Sequence, residues 1–465
     1  MLFNSYDFVF LFLPFTLVAL YCARRFLALR VAVWTIGAAS LVFYAAWSVH
    51  LLPVLLVSVA ANYLIGMQII SSKGEKLKRC WLTLGVAGNL ATIGYFKYTG
   101  FILSTVVRLT GHSILIPDIV LPVGISFFTF TQIAFLVDAS RGHYPHKYPF
   151  PDYLLFVTFF PHLVAGPILI HKFVIPQFES ERFGRPSVRT AYAGTVLFCI
   201  GLFKKVMIAD SLAPYVNLLY ASPATLSMPE AWLAALLYTL QLYFDFSGYS
   251  DMAFGLALLM NVRIPNNFNS PYKAASMTEF WRRWHISLSR FLRDYLYIPL
   301  GGNRKGPTRQ TLNLLTTMLL AGLWHGAGWT FVAWGALHGS MLSINHLWRQ
   351  LHIAMPRALA WVITFLSVML AWVVFRAASL HEAALILGAM IGQHTGKIIY
   401  TLGPTTGKLA ILAFGLLAWC LFTPPARWYA IRKRPERTLA VVFAVMLLLA
   451  VVNMARPTAF LYFQF

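Results

Sequence analysis

His325 is the residue of this chain best suited to move a proton. It lies in Gly322-Leu323-Trp324-His325-Gly326, inside an apolar run with no charged neighbour in sequence. An ionisable residue at membrane depth is costly to place and is therefore a candidate for function. Neutral imidazole can take the proton of an alcohol as that alcohol attacks a thioester, near neutral pH where the unperturbed histidine titrates. The competing reading is a structural, hydrogen-bonded histidine, and the paired glycines, which let another backbone approach closely, fit that too. His285 is the second candidate, able to orient groups or hold a donor. His338, between Gly335 and Gly339, reads as a packing residue.

Arg282, Arg283, Arg304 and Lys305 could bind the phosphates of a coenzyme or an acidic carrier protein. Membrane topology alone also explains basic residues there. Trp324, Trp284, Ser287, Arg282, Arg283 and Asn267 are the candidate donor-binding or tunnel residues. Carboxylates are scarce, so Asp138, Asp210, Asp245 and Asp251 stand out in or beside apolar runs. Pairing with a nearby Lys or Arg is the first expectation for them. A proton pathway, which needs several such groups along one route, is the alternative. GxSxG, Walker A, HExxH and CxxC patterns do not occur, so serine hydrolase, nucleotide hydrolase, metalloprotease and thiol redox chemistry lack their local signatures. Cys22, Cys80, Cys199 and Cys420 have no metal-ligand spacing, and no metal is expected.

Helices in lipid must position these groups. With 59% hydrophobic and 11% charged residues over 465 positions, there is too little polar surface to clothe soluble domains. The expected fold is all-α: a polytopic integral membrane protein of one transmembrane domain, 1–465, with about 11 spans of roughly 20 residues. Spans are predicted near 6–23, 31–48, 51–70, 81–107, 118–138, 190–210, 231–260, 311–342, 358–378, 383–400, 406–423 and 438–455, the shorter ones being marginal. Around Phe159 to Pro167 two prolines and a glycine interrupt an apolar run, which predicts a re-entrant or broken element. From Phe280 to Tyr297, apolar residues recur at helical spacing opposite Arg282, Arg283, Arg290, Arg293 and Asp294, which predicts an amphipathic helix on the membrane surface. Ser276 and Glu279 have capping-box spacing to start it, and Pro299 with Gly301-Gly302 would end it.

The formal net charge of +22 comes from short Lys and Arg clusters between apolar runs, not from one continuous face, so nucleic acid is not an expected partner. The first apolar run has no Lys or Arg before it and is followed at once by Arg24, Arg25 and Arg30. That order predicts an uncleaved anchor with a periplasmic N-terminus. Basic loops at Lys73 to Arg79 and Arg427 to Arg437 continue the alternation and place Phe465 outside.

Several blocks resemble the membrane-bound O-acyltransferase family, in particular the bacterial branch that acetylates alginate and its cellulose-acetylating relatives. They run from Met1 to Ser5, Phe10 to Pro14, Leu121 to Phe127, Phe160 to Pro167 and Tyr243 to Met252. More specific are Phe280 to Ser289 with Arg293 to Asn303, like the family's first histidine region, and Gly322 to Gly326, like its second. Tyr462 to Phe465 also matches. The resemblance implies a helical ring with a central funnel on each face, His325 as catalytic base and His285 as a positioning histidine. It implies acetyl-CoA as donor substrate, no permanently bound cofactor, and an inner-membrane location. The acetyl acceptor would be a periplasmic SGNH-type acetyltransferase of the exopolysaccharide machinery, or the polymer itself. A sister branch D-alanylates teichoic acid from an acylated carrier protein, which is a second acyl-transfer reading. A transporter or lipid flippase would explain the spans and buried carboxylates without bond-making, and a scaffold for polymer secretion would leave the histidines to pack. The lack of an internal repeat counts against a transporter built from two equivalent halves.

Overall fold

The computed structural model describes residues 1–144, 146–393, 402–403, 405–431, 437–454 and 461, and every regular element among them is helical. The Tyr462 to Phe465 motif and the end of the expected 383–400 span lie outside the described residues. Among the described residues, five helices are long and apolar enough to cross a membrane: Asp7–Phe26, Val49–Ser71, Glu75–Thr110, Arg357–Arg376 and Thr405–Phe422. Their exposed side chains include Phe15, Phe26, Leu64 and Phe422, large apolar groups that lipid solvates and water does not.

The residues group into two compact units. The first holds 1–202, 249–266 and the described part of 429–457. Within it, Leu52–Ser71 and Glu75–Ile93 are joined by Asn62 and Asn89, whose amides each donate to the other's oxygen, at 3.2 and 2.6 Å. The expected break near residue 159 is present: Phe150–Thr158 stops, Phe159 leaves helical geometry, and Phe160–Leu163 follows. The interruption is satisfied locally. Phe160 N–H donates to Ser40 Oγ at 3.1 Å, and His162 Nε2 lies 2.9 Å from the Phe156 carbonyl, so the irregular backbone is shielded by protein. The span expected at 118–138 begins later, at Ile125, because Pro117, Pro122 and Gly124 interrupt the apolar run before it.

The second unit holds 203–248, the described part of 267–428, and Leu461. The region predicted as one span at 311–342 is a helical hairpin, Gly306–His325 and Trp329–Gln350. Hydropathy missed the turn because Gly326-Ala327-Gly328 adds no charge to the run. Glycines set the closeness of the two helices: a Cβ at Gly322 would overlap the Phe331 carbonyl, and one at Gly335 would overlap that of Met318. His325 ends the first helix at this tight crossing.

The continuous surface helix expected over 280–297 is corrected to three short pieces: Met277–Arg283, Ile286–Leu292 and a π-helical turn, Arg293–Tyr297. The chain bends at His285, whose φ of 41° and ψ of 54° lie in the left-handed region. Trp284, Leu288 and Phe291 are buried with His285, so this segment folds into its unit. Its start follows the sequence, with Ser276 Oγ accepting from Glu279 N–H at 3.1 Å. The Glu279 carboxylate accepts from Ala275 N–H at 2.9 Å and pairs with Arg283.

Candidate active site

His325 is 4% exposed, and its ring packs edge-on to Trp334 at 5.0 Å and Phe375 at 5.3 Å between centroids. Trp324 lies against it at 5.0 Å and also meets His285 at 5.9 Å. One indole therefore touches both histidines. Asn267, fully within the same unit, organises the His285 side. Its Oδ1 receives Ser287 N–H at 3.2 Å, Ser287 Oγ–H at 2.8 Å and His285 Nδ1 at 3.2 Å. A backbone N–H can only donate, so this atom is the amide oxygen, and His285 Nδ1 must carry hydrogen to bond it. The remaining nitrogen, Nε2, then holds the lone pair. Asn267 also accepts Ile286 N–H on its backbone carbonyl at 3.0 Å, which fixes the bend holding His285 in its left-handed conformation. A non-glycine residue in that region persists where its surroundings over-determine it.

A cavity of about 840 Å³ opens within the second unit. Arg282, Arg290 and Arg293 contribute charge to its wall, while Trp281, Met318 and Leu342 give it an apolar side. His346 also lines it; burial first, then the charges of Arg349 and Arg282, hold its pKa below the ordinary histidine value. Cation and apolar wall together suit a ligand with anionic groups at one end and a hydrocarbon arm at the other. Trp281 leads from the cavity toward the histidines, since its ring meets Trp334 at 5.9 Å and Trp334 meets His325.

The sequence-derived set is thus divided. His325, Trp324, His285, Asn267 and Ser287 come together around the two imidazoles. Arg282 lines the cavity. Arg283 instead binds Glu279, at 2.8 Å, and the Asn269 carbonyl, at 3.1 Å. Trp284 stacks on Phe280 at 5.6 Å and packs against Trp372 at 5.1 Å. His338 is more than packing: Trp281 Nε1–H donates to its Nδ1 at 3.3 Å. Arg290, Arg293 and Trp334 were not among the candidate site residues, although Trp334, His338, Leu342 and His346 recur at every fourth position. Three of the conspicuous carboxylates are paired with lysine as first expected. Lys205 Nζ lies 2.7 Å from both Asp210 and Asp245, and in the other unit Asp138 lies 4.0 Å from Lys172 Nζ and 3.4 Å from His171.

The model of the membrane-bound O-acyltransferase family matches residues 23–381. The chain belongs to this family. A peptidoglycan O-acetyltransferase of Helicobacter pylori is 42% identical, covering 84% of this chain and 80% of the relative. The probable alginate O-acetylase AlgI of Azotobacter vinelandii is 46% identical over 84% of this chain and 78% of its own. The protein of the same name from Pseudomonas putida is 40% identical and aligns over 100% of both chains. This member of the O-acyltransferases is accordingly a membrane-embedded enzyme that transfers acetyl groups.

Proposed function

We propose that this O-acetyltransferase takes acetyl from acetyl-CoA at the cytoplasmic face and delivers it across the inner membrane for modification of an envelope polysaccharide. The observation that carries the reading is the buried His325, linked through the Trp334 ring to Trp281, which lines an arginine-rimmed cavity. The arginines Arg282, Arg290 and Arg293 would hold the coenzyme's phosphates, and the thioester arm would lie along the apolar wall. His325 takes the proton of an acceptor hydroxyl as its oxygen attacks the thioester carbon, then returns a proton to the departing thiolate. His285, with Nδ1–H bound to Asn267, presents Nε2 to accept and orient that hydroxyl, and Trp324 packs on both rings.

The acceptor is a hydroxyl of a periplasmic SGNH-type acetyltransferase, which passes the acetyl on, or of the polymer directly. The names of the relatives favour alginate or peptidoglycan as the polymer; cellulose is the other acceptor of this branch. About 11 spans arranged as a ring around a central funnel, with the N-terminus periplasmic, would place donor and acceptor on opposite sides. A carrier-protein donor, as in D-alanyl transfer, is the second reading, favoured by the same cluster of arginines, which would meet an acidic protein equally well.

The test uses purified protein in lipid with radiolabelled acetyl-CoA, set beside a radiolabelled acetylated carrier protein. Transfer from acetyl-CoA by the wild type, lost in His325→Gln with the protein still folded, is the expected result. Transfer by His325→Gln at the wild-type rate would remove the histidine from the mechanism. Transfer from the carrier alone would replace the donor. Arg282→Ala with Arg290→Ala should raise the KM for acetyl-CoA while leaving kcat nearly unchanged, as expected where binding is uniform between ground and transition states.

A further inference from the structure

The hairpin helix Trp329–Gln350 carries Trp334, His338, Leu342 and His346 at four-residue intervals. Such residues share a face, and each step advances about 6 Å along the axis. Leu342 and His346 line the arginine-rimmed cavity. At the other end, Trp334 packs on His325 at 5.0 Å. The row therefore runs from the cavity to the candidate base, with His338 at 4.6 Å from Trp334 in between.

The two members nearest His325 are both donors. His338 Nδ1 accepts from Trp281 Nε1–H, so in the neutral ring the proton sits on Nε2. Trp334 offers only N–H. Both side chains are fully buried, and neither His338 Nε2 nor Trp334 Nε1 has a hydrogen-bond partner among the described residues. Buried N–H groups are ordinarily paired. Two unpaired donors, one helical turn apart and beside the candidate base, call for a ligand that brings two acceptors with matching spacing. Carbonyl oxygens are such acceptors. An acyl thioester of a pantetheine arm carries one at the reacting carbon and another at the first amide, a few bonds further along the arm.

We propose that Trp334 binds the thioester carbonyl oxygen of the donor and that His338 binds the nearest amide carbonyl of its arm. This rests on the reading of the cavity as a thioester-donor site. In the reaction, the acceptor hydroxyl oxygen forms a bond to the thioester carbon while its proton passes to His325. The carbonyl π pair moves onto oxygen, and Trp334 Nε1–H bonds the resulting oxyanion. Collapse restores the carbonyl and breaks the carbon–sulfur bond, and the thiolate takes the proton back from His325. His338 holds the arm so that the carbonyl reaches Trp334, and Trp281 holds His338 in the donor tautomer.

Trp334→Phe keeps the ring and removes the N–H. The expected result in lipid-reconstituted protein is a fall in kcat on the order of 100-fold, with the KM for acetyl-CoA nearly unchanged. The melting temperature without donor should be unchanged or higher, since an unpaired buried donor has been removed. His338→Leu should act on binding instead, raising the KM about tenfold, the equivalent of one neutral hydrogen bond. A Trp334→Phe protein with wild-type kcat would overturn the assignment. So would parallel losses of rate and melting temperature, which mark a packing role. Wild-type transfer from an acetylated carrier protein alone would overturn the free-coenzyme reading instead. The carrier's arm has the same two carbonyls, and the same variants then decide the Trp334 and His338 assignment on that donor.

Discussion

Replacing Asn267 by Ala removes one oxygen that three donors share: Ser287 N–H, Ser287 Oγ–H and His285 Nδ1–H. All three residues are buried, at 1%, 0% and 5% exposure for Asn267, His285 and Ser287. The Ser287 hydroxyl can rotate toward another acceptor. The backbone N–H and the imidazole N–H are fixed by the bend. Leaving each unsatisfied costs about 1–3 kcal/mol, so a total loss of about 2–6 kcal/mol is expected. Ser287→Ala removes only the hydroxyl bond and should cost about 1 kcal/mol. The left-handed backbone of His285 also loses part of what holds it, and the imidazole is freed to change tautomer. Misplacement of a reacting group by about 1 Å costs on the order of 100-fold in rate, so acetyl transfer should fall by that order even in folded protein. Asn267→Asp gives a different signature. A carboxylate beside Nδ1 favours the imidazolium, which has no lone pair on Nε2. Its transfer rate should be depressed at neutral pH and recover as pH rises, unlike the wild type. Thermal unfolding in lipid nanodiscs and initial rates across pH measure both effects. Asn267→Ala with wild-type melting and wild-type transfer would refute the reasoning.

Gly322→Ala should destabilise the hairpin by about 1–3 kcal/mol through overpacking, because the atom in its way is the Phe331 backbone carbonyl; loss of transfer alongside a lower melting temperature checks it. Lys205→Met leaves Asp210 and Asp245 without their shared cation and should cost about 3–5 kcal/mol, with the triple change that also makes both aspartates Asn recovering much of the loss in the same unfolding assay. Burial pushes the Glu279 carboxyl up, but Ala275 N–H and Arg283 outweigh it, so its folded pKa lies below 4.5. The stability it adds is therefore present above pH 4.5 and is lost as pH falls through the lower folded value. Melting curves of wild type and Glu279→Gln should keep a constant offset from pH 7 to about 5.5 and converge only in stronger acid.

The burial of His325 was legible in the sequence because the residue sits between glycines in an apolar run. The Ser276 and Glu279 cap and the proline-broken element at 159 were legible because both are local. The bend at His285 was not. Its cause is Asn267, eighteen residues earlier, and the periodicity of 280–297 continues through the kink as though nothing happened. The turn at 326–328 was hidden for the opposite reason, since its residues are too small and neutral to interrupt hydropathy. Arg282 and Arg283 are equivalent as sequence but point to different places, one into the cavity and one onto Glu279, because neighbours on a helix diverge by about 100°. The Trp334, His338, Leu342 and His346 row was present at helical spacing, but which of its ends meets the cavity and which meets His325 depends on contacts far apart in sequence.

Sealed vesicles test the central claim most directly. Protein is reconstituted in one orientation, labelled acetyl-CoA is enclosed on the cytoplasmic side, and the acceptor, an SGNH-type acetyltransferase with its polymer, is supplied outside. The account predicts that acetyl label appears on the outer acceptor while coenzyme A stays inside, and that His325→Gln abolishes this without altering the amount or melting of the protein. Outer label made equally well by His325→Gln, or label formed only when donor and acceptor share one side, would contradict it.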